Sequence, residues 1–314
     1  MFSIRSDLLY KGLLLLWLLP SAMAEAETFK LANPETKLVG KVGVVRAREQ
    51  DTLMDIARAH GMGHQEIRRA NPQVDIWVPG EGTAVTLPSS YLLPDAPQEG
   101  IVLNRGEMRL YYFHSDPETG ESLVTTYPVG IGRADRQTPT GRTRITMKIH
   151  KPAWYPTENV RADYAARGRE LPRTVPPGPD NPLGDYALML DIPGYLIHGT
   201  NRPDGIGMRV SQGCVRLYPE HIEALVHQAP LNTPVTIVDQ PQKVALVDGH
   251  LMAEVHPAAY GEAESALDRE RQLIDKIGAF LAERENELRG KVDWDWVTEV
   301  AHRAEGIPYV ISTR

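Results

Sequence analysis

Ile101-Val102-Leu103-Asn104, Arg105-Gly106-Glu107 and Met108-Arg109-Leu110-Tyr111-Tyr112-Phe113 follow one another directly. The outer runs are rich in β-branched and aromatic residues, and the glycine-bearing centre reads as a turn, so the stretch predicts a hairpin. Working outward, Leu123–Val129, Thr143–Lys148, Ala187–Leu190, Tyr195–His198 and Val235–Val238 have the same character. Many short strands with few helices between them predict a β-rich domain, a sandwich or barrel-like sheet, over residues 99–240.

Lys151 to Gly184 breaks this pattern with Pro152, Pro156, Pro172, Pro176, Pro177, Pro179 and Pro182. Proline has no N–H to donate, so this density argues against ladder pairing. A loop of this length is either a functional lid or an insertion. Trp154, Tyr155, Arg161, Arg167, Arg169 and Arg173 suit a lid over a polar, acidic substrate.

Residues 241–314 read as a helical extension. Leu267, Ile274, Leu281 and Leu288 recur every seventh residue between Glu262 and Arg289, and Gly290 ends the run. A second helix is expected over Trp294–Ala304, then a strand over Tyr309–Ser312. The stripe reads as a docking face on the same chain.

Upstream, Glu25 to Lys41 reads as a polar stretch. Residues 42–88 form a small α+β module: a strand over Val42–Arg46, a helix over Thr52–His60 that Asp51 can cap, a helix over His64–Ala70 and a strand over Ala84–Leu87. Ser89 to Gly100 reads as a proline-bearing linker. At the N-terminus, Arg5 and Lys11 precede an apolar run, Gly12 to Leu19, and Ala22-Met23-Ala24 offers a small-residue cleavage site. Residues 1–24 therefore read as a secretory leader, the run being too short for a permanent membrane span. Export to the periplasm is the expected location, with no membrane span after cleavage.

With a net charge of −7 and no basic cluster, the chain is a poor partner for nucleic acid. It has one cysteine, Cys214. Exported proteins normally use cysteines in pairs, so a lone thiol is either buried or used. Neither H-E-x-x-H nor clustered ligand spacing occurs, so no metal or cofactor is expected.

The neighbours of Cys214 favour use. Ile197-His198-Gly199-Thr200 ends a strand, and Ser211-Gln212-Gly213-Cys214-Val215-Arg216 follows a glycine-bearing loop. An imidazole beside a thiol is the commonest way to generate an attacking thiolate. Gly213 lets the backbone approach closely, and the N–H groups of Gln212, Gly213 and Cys214 can converge on an oxyanion. In an extended stretch Arg216 shares a face with Cys214 and can take a substrate carboxylate bidentately. Pro219 and Glu220 open a helix carrying Ile222, Leu225 and Val226.

The string resembles the H-G-T and S-x-G-C-x-R signature of the YkuD-type L,D-transpeptidase family. Leu93 to Pro97 with Ile101 to Asn104, then Tyr127 to Gly132, Thr138 to Gly141 and Pro176 to Leu183 resemble its ErfK/YbiS/YcfS branch. Gln50-Asp51-Thr52-Leu53, Ala70-Asn71-Pro72 and Leu87-Pro88 are similar to landmarks of a LysM module, which implies glycan binding; a structural spacer is the alternative. The resemblance implies a mainly β catalytic domain (YkuD-like β-sandwich), a small α+β LysM-like N-terminal module and a helical C-terminal extension. It implies Cys214 as nucleophile, His198 as general base and acid, and the Gly199 carbonyl as the group orienting the imidazole. Gln212, Gly213 and Cys214 would supply oxyanion donors, and Arg216, Ser211 and Thr200 fall on the substrate side. The partners implied are peptidoglycan stem peptides and glycan, with a Braun-type outer-membrane lipoprotein or a second diaminopimelate as amine acceptor. A hydrolase using the same thioester stays open, as does a non-catalytic glycan-binding protein.

Overall fold

The computed structural model describes residues 26–261, 264–283 and 291–313. The expected leader, Met1–Ala24, lies outside the described residues. The first part of the chain folds as β1 (Glu27–Lys30), β2 (Leu38–Gly40), β3 (Gly43–Arg46), α1 (Leu53–Ala59), α2 (His64–Ala70), β4 (Ala84–Leu87) and β5 (Ser90–Leu92). The middle part continues with β6 (Gly100–Asn104), β7 (Arg109–Ser115), β8 (Ser122–Pro128), β9 (Ile131–Gly132), β10 (Gly141–His150), α3 (Glu158–Ala165), β11 (Tyr186–Leu190) and β12 (Leu196–His198). Then come β13 (Arg209–Ser211), β14 (Val215–Arg216), α4 (Pro219–Gln228) and β15 (Pro234–Val238). The last part contains β16 (Gln242–Val247), β17 (His250–Val255), α5 (Ala266–Ala282), α6 (Trp294–Arg303) and β18 (Tyr309–Val310).

The hairpin expected around Arg105-Gly106-Glu107 is β6–β7, in register from Gly100↔Phe113 to Asn104↔Arg109. It sits inside a nine-stranded sheet of order β1-β8-β7-β6-β15-β10-β11-β12-β14. This is one large curled sheet, where the sequence left a sandwich or a barrel-like sheet open. The curl turns on β10: Gly141–Arg144 pair with β15, whereas Ile145–His150 pair with β11, and a register shift falls between Ile145 and Met147. A bulge bends a strand and sharpens its twist, which lets one long strand serve both halves. Ile101, Leu103 and Leu110 from one half and Leu188, Ile197 and Val215 from the other meet in one core, with Ile222, Leu225 and Val226 of α4. Pro219 opens α4 at its first turn, where a missing N–H costs nothing.

Residues 42–88 have the expected strand-helix-helix-strand order, with β3 and β4 antiparallel. The cap differs from expectation. Thr52, not Asp51, caps α1 in a reciprocal box with Asp55, while Asp51 accepts from the backbone and guanidinium of Arg48. The module has its own core of Leu53, Ile56, Ile67 and Val85. The polar stretch and the linker are also more ordered than expected. Glu27–Lys30 add to the edge of the sheet at β8, and Leu38–Gly40 pair with Ser90–Leu92.

The C-terminal extension is not helical throughout. It contains the three-stranded sheet β16-β17-β18, with α5 and α6 packed on it through Leu273, Ile277, Val297 and Val300. Residues 284–290 of the expected long helix lie outside the described residues. A buried cluster fastens this layer to the catalytic sheet. The Lys243 ammonium lies 2.6 Å from Glu107 in the β6–β7 turn and 2.8 Å from Glu254. His256 lies 2.7 Å from Glu254, and the N–H of Leu92 donates to that same carboxylate at 2.6 Å. Glu107, Glu254 and His256 would suit a cation, and the Lys243 ammonium is the cation held there.

Candidate active site

His198 ends β12, and Cys214 immediately precedes β14. These strands pair in parallel, Ile197 opposite Val215 and His198 opposite Arg216. Ile197 and Val215 both point into the core. Side chains alternate along a strand, so His198 and Arg216 occupy the opposite face, with Cys214 two residues before Arg216. The sheet thereby sets His198 opposite Arg216, two residues after Cys214, although fifteen residues separate His198 from Cys214 in sequence.

His198 is buried, and its Nδ1 donates to the carbonyl of Gly199 at 2.6 Å. A carbonyl only accepts, so the proton sits on Nδ1 and Nε2 keeps a lone pair. Burial, reinforced by the Arg216 charge, pushes the imidazole down to about 3, so it is neutral at physiological pH. Burial pushes the Cys214 thiol up, partly opposed by the Leu196 backbone and the Arg216 charge. At rest the site thus holds a protonated thiol and a neutral imidazole. The half-buried Sγ lies 3.6 Å from the Gly194 carbonyl.

Gly213 has φ +114, where an L side chain is strained, and a Cβ would stand 3.0 Å from the Tyr195 ring. Its N–H donates to Ser211 Oγ at 3.1 Å, and that hydroxyl donates on to the Cys214 carbonyl. Ser211 therefore braces the turn from a buried position. The N–H of Gly213 is engaged, leaving Gln212 and Cys214 as the backbone donors without an acceptor among the described residues. Thr200 is buried and accepts from the N–H of Arg202 at 3.0 Å. Arg216 is bridged through its backbone to Gly130, and its buried Nε has no hydrogen-bond partner among the described residues.

Sequence reasoning missed the braces behind this turn. Thr138 Oγ1 donates to the Gly213 carbonyl at 2.8 Å and accepts from the N–H of Gly132 at 3.0 Å. Tyr260, from the extension, donates to the Gly132 carbonyl at 2.9 Å. The Thr138-Pro139-Thr140-Gly141 string was the available signal for Thr138; nothing local marks Tyr260. The segment expected as a loop contains α3, capped by Thr157. Asp163 of α3 holds Arg133 at 3.1 Å and approaches Gln212 Nε2 at 3.4 Å. Trp154 and Val175 form a short antiparallel bridge despite the surrounding prolines. Of the four arginines expected there, Arg161 donates to the Pro156 carbonyl and Arg169 lies over the Tyr164 ring.

Thiol, lone-pair imidazole and adjacent backbone donors make this the equipment of a cysteine-dependent acyltransferase. Residues 98–237 match the family model described as the L,D-transpeptidase catalytic domain, YkuD. The chain is 39% identical over 295 residues to the Escherichia coli protein named "Probable L,D-transpeptidase ErfK/SrfK", covering 92% of each. It is 45% identical over 240 residues to the "Probable L,D-transpeptidase YcfS" of the same organism, covering 74% of this chain and 73% of that one. The structure of the catalytic domain from E. faecium L,D-transpeptidase overlaps with a TM-score of 0.34 at 18% identity, over 46% of this chain and 99% of that one. The chain belongs to the L,D-transpeptidase family.

Proposed function

We propose that this protein is an exported enzyme that forms a thioester between Cys214 and the diaminopimelate of a peptidoglycan tetrapeptide, then passes the acyl group to an amine. The observation that supports this reading is the parallel pairing of β12 and β14, which sets His198 opposite Arg216, two residues after Cys214. Sγ attacks the carbonyl at the L-centre of diaminopimelate while its proton passes to His198 Nε2. The N–H groups of Gln212 and Cys214 receive the developing oxyanion. The C–N bond to D-alanine breaks, His198 returns the proton to the departing amine, and a thioester remains. An incoming amine repeats the sequence in reverse and frees the thiol. The unpartnered Nε of Arg216 supports a place for a substrate carboxylate beside the thiol.

The acceptor is the lysine of a Braun-type lipoprotein or a second diaminopimelate, and the compartment is the periplasm. The module at residues 42–88 serves as a LysM-like glycan holder. No helix among the described residues is long and apolar enough to cross a membrane.

The test is mass spectrometry after incubation with a disaccharide tetrapeptide, with and without a lysine-terminated lipoprotein peptide, beside a Cys214→Ala control. A peptide adduct formed with loss of D-alanine identifies lipoprotein attachment, and a dimer joined between diaminopimelates identifies cross-linking. Free tripeptide alone would make the enzyme a hydrolase, and no Cys214-dependent product would sink the proposal.

A further inference from the structure

A cleft of about 890 Å³ lies between α2 with the loop after it and the C-terminal extension. Small-molecule sites run to roughly 300–1,000 Å³, so this one has room for a short peptide. None of the catalytic residues lines it. Its wall carries Arg68, Arg69, Arg269 and Arg303, with Trp77 on the loop side.

These charges are unevenly matched. Arg269 donates to the carbonyls of Ala301 and Glu264, at 3.0 and 3.3 Å, so it ties α5 to the end of α6. Arg303 pairs with Glu305 at 3.2 Å. Asp75 accepts the N–H groups of Trp77 and Val78 within its own loop. Glu66 faces Arg69 but is bound at 2.6 Å to Arg109. Neither Arg68 nor Arg69 has a carboxylate partner among the described residues. Burial, together with the like charges of Arg209, Arg269 and Arg68, pushes Arg69 down to about 10 even though Glu66 opposes the shift. A half-buried guanidinium crowded by its own kind gains on meeting an anion. Its planar fork matches a carboxylate, and two such forks match two carboxylates. Trp77 is 70% exposed and offers a flat apolar face beside them.

We infer that this cleft binds the carboxylates of a peptidoglycan stem peptide that is held but not reacted, through Arg68 and Arg69. The inference rests on the proposed function for the identity of the ligand. It gives the enzyme a second grip on the polymer, apart from the thiol.

Hydrogen exchange on the full Cys214→Ala chain separates the two readings, because the two sites fall in different peptides. A disaccharide tetrapeptide should slow exchange at residues 64–77 and 300–305 as well as at 198–216. Arg69→Gln should abolish the first effect and leave the second. Amidating the stem carboxylates should weaken the first effect at least tenfold. Arg69→Gln should also raise the melting temperature of the unliganded chain, because it removes a crowded charge, which shows that the variant folds. Protection confined to 198–216 overturns the inference and leaves the function standing; protection at neither site counts against the function first. Protection at 64–77 that survives Arg69→Gln overturns the arginine site. Triglutamate reproducing it where the stem peptide fails overturns the stem peptide as ligand.

Discussion

The N–H of His64, at the start of α2, donates to the carbonyl of Ile206 at 2.9 Å, so the N-terminal module is bonded to the loop that joins His198 to Cys214. Gly63 and Gly207 meet backbone to backbone at this point. A Cβ on Gly207 would lie 2.4 Å from the His64 nitrogen, and Gly207 has φ +79. Tyr218 donates to the Met62 carbonyl at 3.1 Å, and Glu220 takes Arg58 through two bonds of 3.0 Å. The module thus grips both the loop before Cys214 and the start of α4 after it. A misplacement of about 1 Å can slow a reaction about 100-fold. Gly207→Ala is expected to lower kcat/KM by one to two orders of magnitude while far-ultraviolet circular dichroism stays unchanged. Unchanged kcat/KM would show that the loop holds its geometry without the module.

Arg109 makes the same joint from the sheet side. Its guanidinium is buried, 2.6 Å from Glu66, and also reaches Thr126 and the Gly61 carbonyl. Removing one member of a buried pair leaves the other charged and unsatisfied, at a cost of about 3–5 kcal/mol. Arg109→Ala should therefore lose about that much in chemical denaturation, and Arg109→Met with Glu66→Gln should recover part of it. A loss under about 1 kcal/mol for Arg109→Ala would mean water replaces the guanidinium there.

The site was legible where its chemistry is local in sequence. His198, Gly213, Cys214 and Arg216 fall within two short strings, and alternation along a strand predicted the shared face of Cys214 and Arg216. Thr138, Asp163 and Tyr260 were not legible, because only the curled sheet and the docked extension bring them to the turn. The strands missed at the chain ends have physical reasons too. Glu27–Lys30 alternate half-buried and exposed positions at a sheet edge, so they read as polar. In the β16–β17 hairpin, the paired Lys243 and Glu254 are buried charges, so the face opposite Leu251, Ala253 and Val255 reads as polar. The Asp248-Gly249 turn, with φ +48 and +79, was the overlooked signal, since Asp-Gly between alternating runs marks a two-residue hairpin.

The ionisation of the site sets its pH behaviour. A buried imidazole pushed down to about 3 and a thiol pushed up by burial favour a neutral resting pair over a thiolate–imidazolium pair at pH 7. Alkylation of Cys214 by iodoacetamide should accelerate steadily as pH rises past about 8.5, the ordinary thiol value, without a plateau between pH 5 and 8. A plateau there would demonstrate the ion pair instead. The unfolded histidine binds a proton below about 6.5 that the folded one refuses. Stability therefore falls as pH drops from about 6.5 toward 3, and the His198 contribution at pH 5 is a loss of about 2 kcal/mol. His198→Gln should flatten that part of the stability curve.

Gly213 tests the turn itself. At φ +114, with Tyr195 packed over it, alanine is both strained and crowded. The residue lies in a turn already braced by Ser211 and Thr138, so the fold should survive while the N–H groups on either side lose their aim. Loss of one oxyanion donor lowers kcat by about 100- to 1,000-fold. Gly213→Ala is expected in that range, with KM changed little. A fall in KM alone, with kcat intact, would remove the turn from the chemistry.

The C-terminal extension meets the catalytic sheet at a buried cation. Lys243 sits between Glu107 of the β6–β7 turn and Glu254 of β17, and it also donates to the Leu92 carbonyl. A truncation after Gln240 deletes Lys243 and leaves Glu107 with Asn104 and Tyr111 as its partners among the described residues. It also uncovers the Gly132 carbonyl that Tyr260 caps, next to the strand leading to the active-site turn. The truncated chain should therefore melt well below the full one and lose activity. Lys243→Met isolates the electrostatic part. It removes the cation that opposes the effect of burial on Glu254, whose carboxyl burial already pushes up, so stability should improve as pH falls toward 5 relative to the parent chain. A truncation that left both melting temperature and activity unchanged would show that the sheet stands without the extension, and would make the Glu107–Lys243–Glu254 cluster a consequence of docking rather than its cause.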